Sequence, residues 1–208
     1  MSQHLILATE TARLPERLSK TGFHPFEHGS FLENIEGAGL WLGPRHILES
    51  SWAFRQIIPY IVLCVGDRIL SYTRAAAGRE DRLHGRLSIG LGGHVDFADI
   101  VPGPTGIDLP RTLNAAAERE VDEEVGRVSG GVRNWIGALI DNETEVGRVH
   151  LGIVGIWSLG ECPDGVAEAA ISNIALRTLD ELEQSTGRME TWSRLLMPFI
   201  HEMSAGKK

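Results

Sequence analysis

The sequence predicts an α/β domain, and three observations point to it. Apolar, strand-like runs lie on both sides of a central helix-forming stretch; that stretch carries acids at helical spacing; and an amphipathic helix comes near the end of the chain. With 208 residues, 42% of them apolar and 23% charged, the chain has material for one buried core plus an extension. We expect residues 1–54 to form an extension packed on the core, residues 55–203 the main domain and residues 204–208 a frayed tail.

The amino-terminal stretch mixes short apolar pieces with turn formers such as Leu14-Pro15 and Gly43-Pro44, and Phe23, Phe26, Phe31, Leu40 and Trp41 are apolar enough to pack. His24 and His28 stand four apart, but Pro25 between them argues against the regular helix that a metal-binding pair would use. Residues 57–65 form a β-branched run, and Gly66-Asp67 followed by 68–72 reads as the turn and return strand of a hairpin. The link 74–84 is basic and reads as a solvated loop or as a phosphate-contacting edge, with Arg74 and Arg82 as its candidate phosphate ligands. A short strand over 87–91 then runs into Gly92-Gly93-His94, where paired glycines permit close backbone approach.

The central helix has stop and start signals at Asp108-Leu109-Pro110, with Asp108 or Thr112 as the N-cap and Gly126 as the C-cap. Ala115, Ala116 and Ala117 favour it. At roughly 100° per residue, Glu120, Glu123 and Glu124 project within an arc of about 100°, with Asp122 on the opposite side and Val121, Val125 and Val128 as a core-facing stripe. Three carboxylates are thereby expected to converge on one point. Like charges at these spacings weaken a helix, and a hard divalent cation would turn their repulsion into coordination. Beyond the helix, 132–140 and 149–159 read as strands joined by the polar turn 141–147, and His150 reads as a buried, hydrogen-bonded histidine. A partly strand-like stretch over 166–176 and a short helix opening at Thr178 follow. Trp192, Leu195, Leu196, Phe199 and Ile200 then give the last helix an apolar face for core or dimer contact.

Arg119-Glu120-Val121-Asp122-Glu123-Glu124-Val125-Gly126 resembles the second half of the Nudix box, G-x5-E-x7-R-E-U-x-E-E-x-G-U with U bulky and apolar. Counting back from Arg119 puts Arg111 where that family has its glutamate, and Gly92-Gly93 lies about a dozen residues too far upstream, so an insertion over 96–109 is expected. The resemblance implies an α/β/α sandwich with a mixed sheet and a Mg²⁺ (or Mn²⁺) dependent hydrolase. Its substrate would be a diphosphate linkage in a nucleoside diphosphate derivative or related small phosphate compound. It makes Glu120 and Glu124 direct metal ligands, Glu123 a shared ligand or general base, and Gly93 a carbonyl ligand. Arg119 would orient a glutamate, and His94 would lie near the substrate with Arg74 and Arg82. A further acid is expected from Glu161, Asp164 or Glu168. Arg111 at the glutamate position keeps a second reading open, a nucleotide-binding or regulatory module of the same fold without turnover. Isomerisation or transfer on a diphosphate substrate is a third.

Twenty basic against twenty-eight acidic residues, a net charge of −8, argue against a duplex nucleic acid partner and leave small phosphate esters, whose charge a metal can offset. Cys64 and Cys162 lack metal-ligand spacing and are expected as thiols in a reducing compartment. No run approaches the roughly 18 apolar residues of a membrane span, and the chain is expected to be cytoplasmic. Relatives of this kind commonly form homodimers.

Overall fold

The structure is a computed structural model and describes residues 4–26, 31–74, 85–104, 106–128, 132–163 and 171–205. In chain order the strands and helices are β1 (Leu5–Glu10), β2 (Gly22–Pro25), α1 (Phe31–Gly37), β3 (Leu40–Pro44), α2 (Arg45–Leu48), β4 (Phe54–Val65), β5 (Arg68–Arg74) and β6 (Leu87–Ser88). They continue with β7 (Pro102–Gly103), β8 (Gly106–Ile107), α3 (Leu109–Val125), β9 (Val132–Ile140), α4 (Glu145–Arg148), β10 (His150–Leu159), β11 (Ile171–Arg177), α5 (Leu179–Glu183) and α6 (Thr191–Ala205). The chain forms two compact units, residues 1–60, 92–119 and 135–154 in the first and 61–91, 120–134 and 155–208 in the second. β4, α3, β9 and β10 each supply residues to both.

In the first unit the strand order is β4-β10-β9-β2, with β1 antiparallel to β4 and β3 antiparallel to β1. Residues 1–54, expected as an extension, therefore supply three strands. β2 pairs with β9 from Gly22↔Ile140 to Pro25↔Gly137, which places His24 and Pro25 on a strand. The core gathers Leu7, Ile35, Ile57, Val95, Ile140 and Leu151, all fully buried. Leu109, Leu113 and Ala116 of α3 pack there at spacings of four and three, one helical face. Phe26 stacks on Phe31 with ring centroids 3.9 Å apart.

In the second unit the order is β11-β5-β4, with β6 paired to β5. The expected hairpin is present, closed by Val65↔Arg68. The expected strand over 87–91 is shorter than its sequence suggests, because the chain leaves the ladder after Ser88: the Ile89 N–H donates to Ser193 Oγ at 3.0 Å, and the Gly90 carbonyl accepts from the buried Tyr72 hydroxyl at 2.8 Å. Glu190, immediately before α6, accepts from the backbone N–H of Trp192 and of Ser193, both at 2.7 Å, and so caps the helix. The buried face of α6 is Ser193, Leu196, Met197 and Ile200, while Trp192, Leu195 and Phe199 are half-buried. Thr178 and Glu181 form a capping box that starts α5, as their spacing suggests. The polar segment 141–147 is a turn running into α4, capped by Thr144.

Leu113→Ala should lower unfolding free energy by about 2–5 kcal/mol, the range for deleting a fully buried leucine side chain. Urea titration followed by circular dichroism measures it; a loss below about 1 kcal/mol would mean that this face of α3 is not closely packed.

Candidate active site

The elements that matter here are the strand end Gly92-Gly93-His94, the short turn after it, and α3. Gly92 has a steric reason to be glycine: a Cβ there would lie 2.0 Å from the Pro59 carbonyl oxygen. The chain continues through Val95, whose carbonyl accepts from Leu7 N–H at 2.9 Å, into a turn of 3-10 helix over Phe97–Asp99. Asp99 is buried, and its carboxylate accepts from the Asp96 backbone N–H at 2.8 Å.

Arg119 of α3 meets this turn with its guanidinium. Its Nε donates to Asp99 Oδ1 at 3.0 Å and its Nη2 to Asp99 Oδ2 at 2.8 Å, a two-pronged ion pair. The same Nη2 donates to the His94 backbone carbonyl at 2.8 Å. One side chain thus holds both the acid and the peptide that follows Gly93.

This geometry corrects the expectation about Arg111. Arg111 is exposed in the first turn of α3, where its backbone N–H donates to Asp108 Oδ1 at 3.0 Å, so Asp108 is the N-cap. The acid that Arg119 requires is Asp99, and it was legible by counting forward: Gly93 to Asp99 is G-x5-acid, with aspartate for glutamate. The extra length therefore falls after Asp99, where residues 100–118 stand in place of seven. Part of it is the small hairpin β7–β8, anchored by Asp108 N–H to the Val101 carbonyl and Val101 N–H to Thr112 Oγ1. The rest forms the first turns of α3, residues 109–118.

At the other end of α3, Gly126 has φ +78 and its N–H donates to the Asp122 carbonyl at 3.0 Å, the left-handed C-cap that its sequence position suggests. Val121 and Val125 are buried and Asp122 is exposed, as the helical spacing requires. The three glutamates stand at different depths: Glu120 half-buried, Glu123 exposed, Glu124 buried. Among the described residues no three His, Cys, Asp or Glu side chains are gathered as a metal-holding group, so the expected convergence on one point is not preformed. Sharing an arc of helix orients Cα–Cβ bonds, whereas burial beside a core sets each side chain's rotamer separately. The donor set itself is all carboxylate oxygen, which suits Mg²⁺ or Mn²⁺.

His94 is packed inside the first unit, its Nε2 lying 2.8 Å from Gln56 Oε1 and 3.4 Å from His150 Nε2. Burial above all, with the positive Arg45 adding to it, pushes its pKa from 6.5 down to about 2. His150 is lowered as well, chiefly by burial, against the opposing effect of its hydrogen bond to the Val146 carbonyl at 2.7 Å. It is hydrogen-bonded as expected, but half-buried rather than fully buried. Next to Gln56 in sequence, buried Arg55 donates to the Gly147 and His150 carbonyls, both at 3.0 Å, and to Asn142 Oδ1. Asp141 supplies the charge that offsets its desolvation. No sequence signal marks this arginine, which sits in an apolar strand.

Arg74 ends β5 opposite Ile171, and Arg82 lies outside the described residues with the rest of its link, 75–84. His28, Asp164 and Glu168 also lie outside them, and Glu161 is exposed. Neither Cys64 nor Cys162 forms a disulfide. No helix among the described residues is long and apolar enough to cross a membrane.

Two predictions follow from the clamp and the histidines. Asp99→Asn should lower stability by about 1.5–3 kcal/mol, the range for a hydrogen bond to a charged group, and Asp99→Glu should recover most of that, as read by denaturant midpoint. A histidine whose folded pKa lies below its unfolded value binds more protons when unfolded, so it lowers stability as pH falls from about 6.5 toward 2. Thermal melts should decline across that window, and less steeply in His94→Gln.

Comparison with known proteins places the chain. No protein-family model matches it. Protein YmaB of Bacillus subtilis strain 168 is 30% identical over 156 residues, spanning 73% of this chain and 74% of that protein. The crystal structure of Tm1382, a candidate Nudix hydrolase, is 30% identical and superposes with a TM-score of 0.78 over 96% of this chain and 99% of its own. The Nudix domain of Shewanella oneidensis NrtR, solved with ADP ribose, shares the fold at 13% identity and a TM-score of 0.50, covering 74% of this chain and 89% of that one. With the glycine-to-acid spacing, the arginine clamp and the R-E-U-x-E-E-x-G helix all present, the chain belongs to the Nudix hydrolase family.

Proposed function

We propose that this protein is a Mg²⁺-dependent pyrophosphohydrolase that cleaves a diphosphate linkage in a nucleoside diphosphate derivative or a related small phosphate compound. The observation that carries the reading is the Arg119–Asp99 clamp, because it restores the paired acid that a count back to Arg111 had left missing. The ground for a module without turnover was that missing acid. Relatives in fold bear on the substrate class: NrtR's Nudix domain was solved with ADP ribose, and a bifunctional adenylyltransferase and ADP ribose pyrophosphatase from Francisella tularensis with AMP and a manganese ion.

Glu120 and Glu124 are assigned as metal ligands, and Glu123 as a shared ligand or the base that removes a proton from water. The assignment of a Gly93 carbonyl ligand rests on the family resemblance. Bound Mg²⁺ would offset the negative charge of the phosphate oxygens and ease loss of a proton from the attacking water. Exposed Glu123 has the rotamer freedom to turn toward such an ion or toward water, while buried Glu124 is held by its surroundings. Arg119 fixes the start of the acidic turn without contacting substrate. Arg74, Arg82 and His94 are the candidates for substrate contact; the burial of His94 makes it the one least suited to direct contact.

The test is Mg²⁺-dependent product release from a panel of nucleoside diphosphate derivatives, ADP ribose included, with product masses measured. Turnover with uptake of one water is expected, and Glu120→Gln and Glu124→Gln should each lower kcat by about 100-fold or more, several kcal/mol of lost charge stabilisation. Tight binding of a panel member with no turnover would establish the module without activity, and a product of unchanged mass would establish isomerisation.

A further inference from the structure

We propose that Gln56 is a positioning residue: acting through the His94 ring, it orients the Gly93 carbonyl for the metal, and the proposal rests on the assignment of that carbonyl as a ligand. A glycine has no side chain by which it can be held, so its peptide takes its orientation from its neighbours. On one side Gly92 lies so close to Pro59 that no Cβ would fit. On the other, His94 is gripped at two places: its carbonyl accepts from Arg119 Nη2 at 2.8 Å, and its ring Nε2 lies 2.8 Å from Gln56 Oε1. An α-carbon is tetrahedral and a peptide unit is planar, so fixing the carbonyl and the side chain of His94 also fixes its backbone nitrogen, which the Gly93 carbonyl shares a plane with. Partners of this outer kind set how a ligand faces its metal, and losing one costs 10–100-fold in metal affinity or activity.

His150 decides the direction of the Gln56 contact. Its Nδ1 lies 2.7 Å from the Val146 carbonyl, an acceptor, so in the neutral ring Nδ1 carries the proton and Nε2 is a bare acceptor. That atom is 3.4 Å from His94 Nε2, and two bare nitrogens at this separation would repel. His94 Nε2 therefore carries the proton and donates it to Gln56 Oε1, the nearer of the two acceptors. Gln56 is a firm partner. Its side chain is fully buried, its backbone N–H donates to the Val149 carbonyl at 2.7 Å, and it stands opposite Ala8 in the ladder between β1 and β4. A group carried on a strand paired in this way is placed more closely than one on a loop. A leucine would fill a similar volume without the cost of burying a carboxamide, so what Gln56 adds to the packing is its acceptor.

The experiment measures Mn²⁺ affinity of the full chain without substrate, from the electron paramagnetic resonance signal of the free ion. Wild type is compared with Gln56→Leu, His94→Phe, the double variant and Leu113→Ala. Gln56→Leu and His94→Phe should each weaken binding by about 10–100-fold, and the double variant by no more than the worse single one, because both remove the same hydrogen bond. Leu113→Ala, destabilised elsewhere in the same core, should bind as wild type does. Unchanged affinity in Gln56→Leu, losses that multiply in the double variant, or an equal loss in Leu113→Ala would overturn the positioning role and leave a packing contact. In the wild-type protein the imidazole ¹⁵N resonances should show His94 protonated on Nε2 and His150 on Nδ1. A bare Nε2 on His94 would overturn the role even if the variants do not fold. Unchanged affinity in Gln56→Leu beside intact turnover would sink this inference alone. Weakened Mn²⁺ binding in the variants, with no turnover by wild type, would sink the hydrolase and leave the positioning role standing; no Mn²⁺ bound by wild type would overturn both.

Discussion

A single guanidinium holds the candidate site in register. Arg119 spans the two oxygens of Asp99 and the carbonyl of His94, so the turn that carries Asp99 and the peptide after Gly93 share one partner. Planar, two-pronged contacts of this kind fix orientation as well as distance, which a lysine could not do. Asp99 is buried, so its charge depends on Arg119 for compensation. Everything proposed for the glutamates assumes this start to their helix turn.

The second constraint is steric. Gly92 approaches Pro59 so closely that any side chain would enter the backbone of β4. Ion pair and close approach act on the same short peptide, one from α3 and one from β4. Between them lies His94, whose ring is enclosed by Gln56 and His150. The strand end Gly92-Gly93-His94 is thus held by Arg119, by Pro59 and by Gln56.

Much of the fold was legible because its signals are local. The β-branched run became β4, the hairpin turn at Gly66 is where it was expected, and Gly126 ends α3 in the left-handed conformation that glycine favours. The acidic turn of α3 and the burial of Val121 and Val125 also followed from helical spacing, whereas Val128, expected on the same stripe, lies beyond the helix end and is half-buried. What escaped was long-range. Nothing in Leu5–Glu10 or Gly22–Pro25 says which strand each will pair with, so an extension was expected where the chain builds β1, β2 and β3. Counting back from Arg119 failed for a related reason: spacing is preserved within each half of the pattern, and the added residues lie between the halves. Depth at Glu120, Glu123 and Glu124 was likewise invisible, because period predicts direction from the helix axis and tertiary packing sets burial.

The stretch 100–118 shows how little a longer tether costs. Lengthening a connection from seven residues to the length of that stretch adds roughly 1 kcal/mol of loop-closure entropy, since the penalty grows only with the logarithm of length. The hairpin and its anchoring to Thr112 offset part of even that. An enzyme built this way can accept new surface between its acid and its arginine without loosening their grip, which makes the inserted segment a place where selectivity can diverge while the chemistry beneath it stays constant.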